Sequence, residues 1–343
     1  MGRRFARVGM CAQWCCNTKT GRKRRHWIFF RQEYKTNFHL ANLRTPTFSV
    51  MDGLTLGGGV GYALYAHYRI ATENTVLAMP ECTIGFFPDV GTMKLLSKMP
   101  HQMGTMMALT GHRLRGRDVL AAGIATHFVP SFHLMDMQRR TGLVMEFADL
   151  VAHKKLLGQV MFEYCDLEHF NSRTGQYDPP EDSVFRYAAY IERAFSSSTV
   201  EEIMKALVQQ IHTAQNDGLD PGPLNEMHEA MLKACPLSMK VALKRVRSGD
   251  QLSLSEHLKL DFQMAHHFLN NPNFYEGIRA RLIDKDNNPV WTPAKLEDVT
   301  PTMVDHFWKP IGETLELPSQ QLHNEAKSGK WWGVRSRSEV SSA

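Results

Sequence analysis

The sequence predicts a mixed α/β protein, and three observations lead to this fold class. Residues 27–130 combine β-branched runs with glycine-rich turns, a texture typical of short strands. Residues 131–285 carry apolar side chains at the spacing of one helix face. The composition of 43% hydrophobic and 22% charged residues is that of a globular protein. No apolar run approaches the roughly 18 residues that a membrane span needs, so we expect no membrane partner.

The first strand is predicted at Thr47-Phe48-Ser49-Val50-Met51, where side chains alternate before the turn signal Asp52-Gly53. Next comes a glycine cluster, Leu56-Gly57-Gly58-Gly59-Val60-Gly61, leading into an apolar segment. Glycines at a strand-to-helix junction let backbone N–H groups approach a ligand, and the helix start is positively biased. The cluster suits a phosphate or a developing oxyanion equally well. Close packing of a helix on a strand is the structural alternative.

Two carboxylates, Glu81 and Asp89, each follow a proline in an otherwise apolar segment. Proline fixes the local backbone, and apolar neighbours would raise the pKa of a carboxyl group towards that of a general base. The structural alternative is a pair of solvated turn residues. Phosphate chemistry is disfavoured, because no Lys-Ser/Thr pair follows the glycines as a P-loop requires.

Helix starts are marked by two predicted capping boxes, one from Ser198 to Glu201 and one from Ser253 to Glu256. Apolar residues follow each box at helical spacing, and Asn270-Asn271-Pro272 ends the second helix. The adjacent His266-His267 and the clustered Cys11, Cys15 and Cys16 lack metal-ligand spacing, so we expect no metal. The cysteines also form no disulfide framework, which indicates a reducing compartment.

We divide the chain into a basic leader (1–26), a region with the glycine and carboxylate motifs (27–130), a mainly helical region (131–308) and a polar tail (309–343). Nine basic and no acidic residues lie within residues 1–32, which leaves 31 basic against 35 acidic residues in the remainder. This balance gives no electrostatic reason to propose nucleic-acid binding. The leader has the composition of a mitochondrial presequence. A disordered basic arm and a misassigned start are the alternatives.

These motifs together resemble the crotonase (enoyl-CoA hydratase/isomerase) superfamily and, within it, the 3-hydroxyisobutyryl-CoA hydrolases. The resemblance covers about residues 27–308 and is carried by the glycine cluster, Arg69-Ile70-Ala71-Thr72-Glu73, Met79-Pro80-Glu81, Phe87-Pro88-Asp89-Val90-Gly91, Ala108-Leu109-Thr110-Gly111 and Glu276-Gly277-Ile278-Arg279. It implies a crotonase-like core of ββα units with a helical C-terminal region. It also implies an acyl-CoA thioester hydrolase of valine breakdown in the mitochondrial matrix. No cofactor is expected, since CoA is part of the substrate.

The resemblance also assigns roles to individual positions. Glu81 matches the catalytic glutamate, and Asp89 matches the aspartate that marks the hydrolases. Gly58 matches the glycine whose N–H lines the oxyanion hole, and Glu33 matches a glutamate placed against the acyl end of the substrate; the alternative for Glu33 is a helix-surface carboxylate. Gly61 stands where hydratases carry a second catalytic glutamate, which argues against hydration of an enoyl thioester.

One departure from the family concerns the segment ahead of Trp27. Family members carry an N-terminal half-domain there, with a Gly-Gly-Asp segment that provides a second oxyanion donor, and residues 1–26 match nothing in it. A truncated or misassigned product and a splice form are the two explanations. We expect low activity or stability, because losing one oxyanion donor typically costs roughly 10²–10³ in rate. We also expect an uncovered surface around Phe48 and Val50.

Two other functions are weighed against hydrolysis. An enoyl-CoA hydratase or isomerase is disfavoured by Gly61. A non-catalytic crotonase-like scaffold is favoured by the missing half-domain but disfavoured by the retention of both Glu81 and Asp89. The oligomeric state is left open.

Overall fold

The computed structural model describes residues 23–147 and 150–317. Residues 1–22 of the predicted leader and 318–343 of the predicted tail lie outside the described residues. The chain forms two compact units. One, the helical unit, comprises residues 23–39, 78–112 and 187–317, and the other, the sheet unit, comprises residues 40–77 and 113–186 apart from the two undescribed positions.

Helices account for most of the described chain. In chain order they are α1 Lys23–Ala41, α2 Gly58–Leu64, α3 Met93–Leu96, α4 Met103–Thr110, α5 Arg117–Ala121, α6 Leu134–Phe147, α7 Leu150–Tyr164, α8 Ala188–Phe195, α9 Val200–Asn216, α10 Gly222–Lys233, α11 Pro236–Arg247, α12 Leu254–Leu269, α13 Pro272–Ile278 and α14 Pro301–Asp305. In the described residues no helix is long and apolar enough to cross a bilayer.

Short strands form two three-stranded sheets. They are β1 Phe48–Met51, β2 Leu54–Leu56, β3 Tyr68–Ala71, β4 Val76–Ala78, β5 Leu114–Arg115 and β6 His127–Phe128. One sheet has the order β1-β3-β6 and is parallel, with Val50 opposite Ile70 and Ile70 opposite His127. The other has the order β2-β4-β5, with β4 and β5 antiparallel. The predicted strand before Asp52-Gly53 is therefore confirmed.

The sheet unit has its own apolar core beneath the parallel sheet. Ile70 at the centre of that sheet packs with Val129, Met137, Met161 and Tyr164 from the following segments. The outer strand is less covered: Val50 is 48% exposed, as expected, whereas Phe48 is partly buried. The ring of Phe48 stacks on that of Tyr68 at a centroid distance of 4.8 Å, which explains its partial burial.

Two capping boxes start helices of the helical unit, one of them at a different residue from the prediction. The box at Ser253 and Glu256 is confirmed. The predicted box from Ser198 to Glu201 is wrong by one residue, because Thr199 is the extended N-cap and its hydroxyl accepts from the amide of Glu202 at 3.1 Å. The carboxylate of Glu201 instead lies 2.7 Å from Lys240 Nζ.

Candidate active site

Glu81 begins a 3₁₀ turn, Glu81–Ile84, directly after Pro80. Its side chain is buried, although ionisable side chains are rarely buried unless they are paired or functional. Gly85 ends the turn with a φ of 68°, a conformation that favours glycine. A Cβ atom at Gly85 would lie 2.2 Å from the carbonyl oxygen of Asn273, so the turn packs backbone-to-backbone against α13. The position of Glu81 is therefore fixed by a contact that leaves no room for a side chain.

Gly277 supplies the other side of this contact. A Cβ atom there would lie 2.3 Å from the carbonyl carbon of Ile84. Gly277→Ala is expected to lower the free energy of unfolding by about 1–3 kcal/mol, because neither backbone can move away cheaply. Thermal melting checks this against Gly142→Ala, a helical glycine of α6 with no neighbour within 4 Å. Equal melting temperatures for the two variants would contradict a close contact between Gly277 and the backbone of Ile84.

An aromatic cluster connects the Glu81 turn to the segment that carries Asp89. Phe86 contacts Phe30 of α1 at 5.6 Å and Phe268 of α12 at 5.2 Å between ring centroids. Phe87 stacks on the same Phe268 at 5.2 Å. Such ring pairs stabilise the fold beyond the burial of their apolar area, and they prefer defined ring orientations. The apolar surroundings predicted for the two carboxylates are therefore present on the segment that joins them.

Asp89 lies in a loop with an uncommon backbone. Its side chain is 1% exposed, and the next two residues, Val90 and Gly91, have φ values of 55° and 75°. A β-branched residue at positive φ is strained by about 1–3 kcal/mol, so the surroundings must hold it. Thr92 contributes, since its hydroxyl donates to the carbonyl oxygen of Asp89 at 2.7 Å. Strain of this kind concentrates at functional sites.

Tyr34 of α1 contacts the carboxylate of Asp89. Its hydroxyl donates to Asp89 Oδ2 at 2.8 Å. Burial, and then the charge of Asp89, raises the pKa of Tyr34 well above its usual value, so the hydroxyl remains a donor. The neighbouring Glu33 is 4% exposed and also acts electrostatically on Tyr34. Glu33 is thus not a helix-surface carboxylate, and the structure brings it and Asp89 together around one phenol.

Gly58 belongs to the sheet unit, whereas Glu33, Glu81 and Asp89 belong to the helical unit. It is the first residue of α2 and follows Gly57, which has a φ of 52° and links the helix directly to β2. Amides in a first helical turn have no carbonyl partner within the helix, so the start of α2 can supply hydrogen-bond donors to a ligand. The predicted strand–glycine–helix junction is confirmed. Gly61, one turn later, is buried and brings no carboxylate.

Tyr34 and Asp261 were not identified as site residues from the sequence. Asp261 of α12 is fully buried and accepts a hydrogen bond from the amide of Gly91 at 2.7 Å, two residues after Asp89.

In the described ranges, no group of three or more histidine, cysteine or acidic residues could hold a metal ion. The site in the helical unit is therefore a set of buried carboxylates with a phenol donor, which can orient water and transfer protons.

Comparisons with known proteins identify the relatives of this chain. The family model for enoyl-CoA hydratase/isomerase matches residues 11–308. The mitochondrial 3-hydroxyisobutyryl-CoA hydrolase of Gallus gallus is 37% identical over 284 residues, which are 83% of this chain and 69% of the relative. A probable 3-hydroxyisobutyryl-CoA hydrolase of Arabidopsis thaliana is 36% identical over 286 residues, covering 82% and 71% respectively.

Comparison with a solved structure identifies the fold. A carnitinyl-CoA dehydratase from Mycobacterium thermoresistibile superposes with a TM-score of 0.74 at 27% identity. The superposition covers 91% of this chain and 81% of the dehydratase. The expected crotonase-like architecture with a helical C-terminal region is confirmed.

Proposed function

Because the chain belongs to the enoyl-CoA hydratase/isomerase family, we propose that it hydrolyses the thioester of 3-hydroxyisobutyryl-CoA to 3-hydroxyisobutyrate and CoA. The observation that carries the proposal is the buried, strained loop in which the carboxylate of Asp89 accepts a hydrogen bond from Tyr34. The curated relatives with 33–37% identity that bear the name of this hydrolase support it.

The proposed roles are those that the resemblance assigns, and they fit the charge changes of thioester hydrolysis. Attack on the carbonyl carbon moves negative charge to the carbonyl oxygen, and a backbone donor such as the Gly58 N–H stabilises that charge. Glu81 supplies the carboxylate that activates the water or attacks the carbonyl. Asp89 orients the water or the 3-hydroxyl of the acyl group, and Glu33 lies against the acyl end.

Two routes are compatible with a carboxylate at position 81. In one, Glu81 removes a proton from a water molecule while the water oxygen attacks the thioester carbon, and CoA thiolate leaves. In the other, Glu81 Oε attacks, CoA thiolate leaves, and water then hydrolyses the mixed anhydride. A single turnover in H₂¹⁸O tests the second route. Label on the Glu81 carboxylate would establish the anhydride, because water exchanges into that carboxylate only by opening the anhydride at the Glu81 carbonyl carbon. Label in the product alone is expected for direct attack and also for an anhydride that water opens at the acyl carbon.

An assay of CoA release tests the proposed function. Purified chain is incubated with 3-hydroxyisobutyryl-CoA, and free thiol is measured together with hydration of crotonyl-CoA in a parallel reaction. We expect release of thiol above the uncatalysed rate, in proportion to protein, and no hydration. Hydration without thiol release would make the protein a hydratase. Absence of both reactions would favour the scaffold function.

The proposal includes the place of action. The Gallus gallus relative is named as mitochondrial, and an arginine-rich, acid-free stretch within residues 1–32 agrees with import. We place the enzyme in the mitochondrial matrix, in valine breakdown, with an acyl-CoA as its substrate partner. The reaction as written needs no cofactor, because water is the co-substrate.

A further inference from the structure

We propose that Tyr34 and a buried pair formed by Asp261 and Arg245 are positioning residues for Asp89. Tyr34 sets the rotation of the carboxylate, and Asp261 fixes the backbone of the loop behind it. This inference deepens the proposed function and rests on it, since it concerns how Asp89 is made ready for the water or the 3-hydroxyl group.

The first contact acts on the side chain of Asp89. The 2.8 Å bond from the Tyr34 hydroxyl engages Oδ2 and so limits rotation of the carboxylate about its last torsion. Tyr34 is itself 0% exposed, and its ring lies 5.8 Å from that of Phe30 in the same helix. A donor held this firmly also favours the charged form of the carboxylate that it contacts.

The second contact acts on the backbone of the loop. Asp261 Oδ2 accepts from the amide of Gly91 at 2.7 Å, directly after the strained Val90. The two residues are 170 positions apart in sequence, so the bond ties the loop to α12. This carboxylate-to-amide bond is charge-assisted and therefore stronger than an amide–carbonyl bond. It offsets the backbone strain at the residue that follows Asp89.

Arg245 stabilises the negative charge of the buried Asp261 carboxylate. Its Nη2 lies 3.0 Å from Asp261 Oδ1, and both side chains are 0% exposed. Burial raises the pKa of Asp261 to about 6, while Arg245 and the Gly91 amide oppose that rise. Without Arg245, the carboxylate of Asp261 would be a buried charge without its cation, and the pKa of Asp261 would rise further.

His257 completes the arrangement as a neutral acceptor. Its Nδ1 lies 2.8 Å from Arg245 Nη2, and its Nε2 lies 2.8 Å from the carbonyl oxygen of Gly249. Burial, and then the charge of Arg245, lowers the pKa of His257 to about 3, so Nδ1 accepts and Nε2–H donates. Among the described residues, Tyr34 and Asp261 act electrostatically on Asp89, Glu33 acts on Tyr34, and Arg245 and His257 lie behind Asp261.

Tyr34→Phe tests the side-chain contact. We expect kcat for 3-hydroxyisobutyryl-CoA to fall about 10- to 100-fold, the usual effect of losing a hydrogen bond to a charged group, with KM nearly unchanged. The acidic limb of the pH profile of kcat/KM should move to higher pH. The matched control is Tyr190→Phe, which removes a 2.6 Å bond to Asp217 elsewhere in the helical unit. Equal kinetics and pH profiles for the two variants would overturn the inference.

A second readout does not depend on turnover. Carboxyl ¹³C NMR on protein labelled at aspartate follows the titration of Asp89, whose signal is assigned with Asp89→Asn. We expect its midpoint to rise in Tyr34→Phe, which loses the donor to the carboxylate, and to stay in place in Tyr190→Phe. An unmoved midpoint in Tyr34→Phe would refute the role of Tyr34 even in a protein with no thioesterase activity. An inactive wild-type chain with a moved midpoint would refute only the proposed function.

Two substitutions at residue 261 test the backbone contact. Both Asp261→Ala and Asp261→Asn remove the charge that pairs with Arg245, but the amide oxygen of asparagine can still accept from Gly91 N–H. We expect kcat to fall at least about tenfold in Asp261→Ala and to be partly restored in Asp261→Asn, which keeps an acceptor for the Gly91 amide but not the charge. Equal kcat values in two folded variants would show that the Gly91 bond does not position Asp89.

Discussion

Replacing Glu81 with glutamine is expected to lower kcat for 3-hydroxyisobutyryl-CoA by about 10²–10⁴-fold, the contribution typical of a positioned acid–base group. The amide keeps the size of the side chain but neither takes up a proton from water nor attacks the thioester. KM should change little, because the loss concerns the transition state. Thiol release under saturating substrate measures the effect.

Glu229→Gln is the matched control for this experiment. Glu229 is an exposed residue of the same unit whose carboxylate pairs with Lys233 at 3.3 Å, a kind of surface contact that contributes little to stability. Its kcat and its melting temperature should equal those of the unchanged chain. If Glu81→Gln kept a rate within about threefold of that control, Glu81 would not be the catalytic carboxylate.

Arg245→Met is expected to lower the free energy of unfolding by about 3–5 kcal/mol, because it leaves the carboxyl group of Asp261 buried without its cation. The pair is fully buried, with Arg245 Nη2 at 3.0 Å from Asp261 Oδ1. Chemical denaturation followed by circular dichroism measures the change. This is the largest effect on stability that we expect from a single substitution in the helical unit.

The double variant Arg245→Met with Asp261→Leu shows whether Arg245→Met loses stability because of an unpaired buried charge or because of lost packing. Replacing both partners by apolar side chains removes the uncompensated charge, so the double variant should be more stable than Arg245→Met alone. A double variant that is less stable by the sum of the two single changes would mean that the two residues do not interact. Arg247→Met supplies a control for loss of an arginine from α11, since Arg247 donates only to the backbone carbonyls of Phe195 and Ser197 among the contacts described.

The parts of the site that lie in short motifs could be predicted from the sequence. Glu81 and Asp89 stand out because each directly follows a proline in an apolar segment, and the structure buries both in tight turns. Their catalytic roles come from the resemblance and stay a prediction. The strand–glycine–helix junction at Gly58 was also a local signal. The shift of the capping box from Ser198 to Thr199 has a different cause. Both residues can cap a helix; in the structure Glu202 completes the box with Thr199, while Glu201 pairs with the distant Lys240.

The supporting residues could not be predicted, because their partners are far away in sequence. Tyr34 contacts a carboxylate 55 positions later, and Asp261 contacts an amide 170 positions earlier. One signal was available: Asp261 lies on the apolar face of α12, next to Phe262 and one turn after Leu258. A carboxylate on a buried helix face needs a compensating group, so it indicates a network without saying where its partners are.

The proposed mechanism depends most directly on where the substrate lies. A crystal structure of Glu81→Gln with 3-hydroxyisobutyryl-CoA bound measures this. We predict the thioester carbon beside residue 81 and the 3-hydroxyl group beside Asp89. An acyl group bound out of reach of either residue would contradict the proposed mechanism.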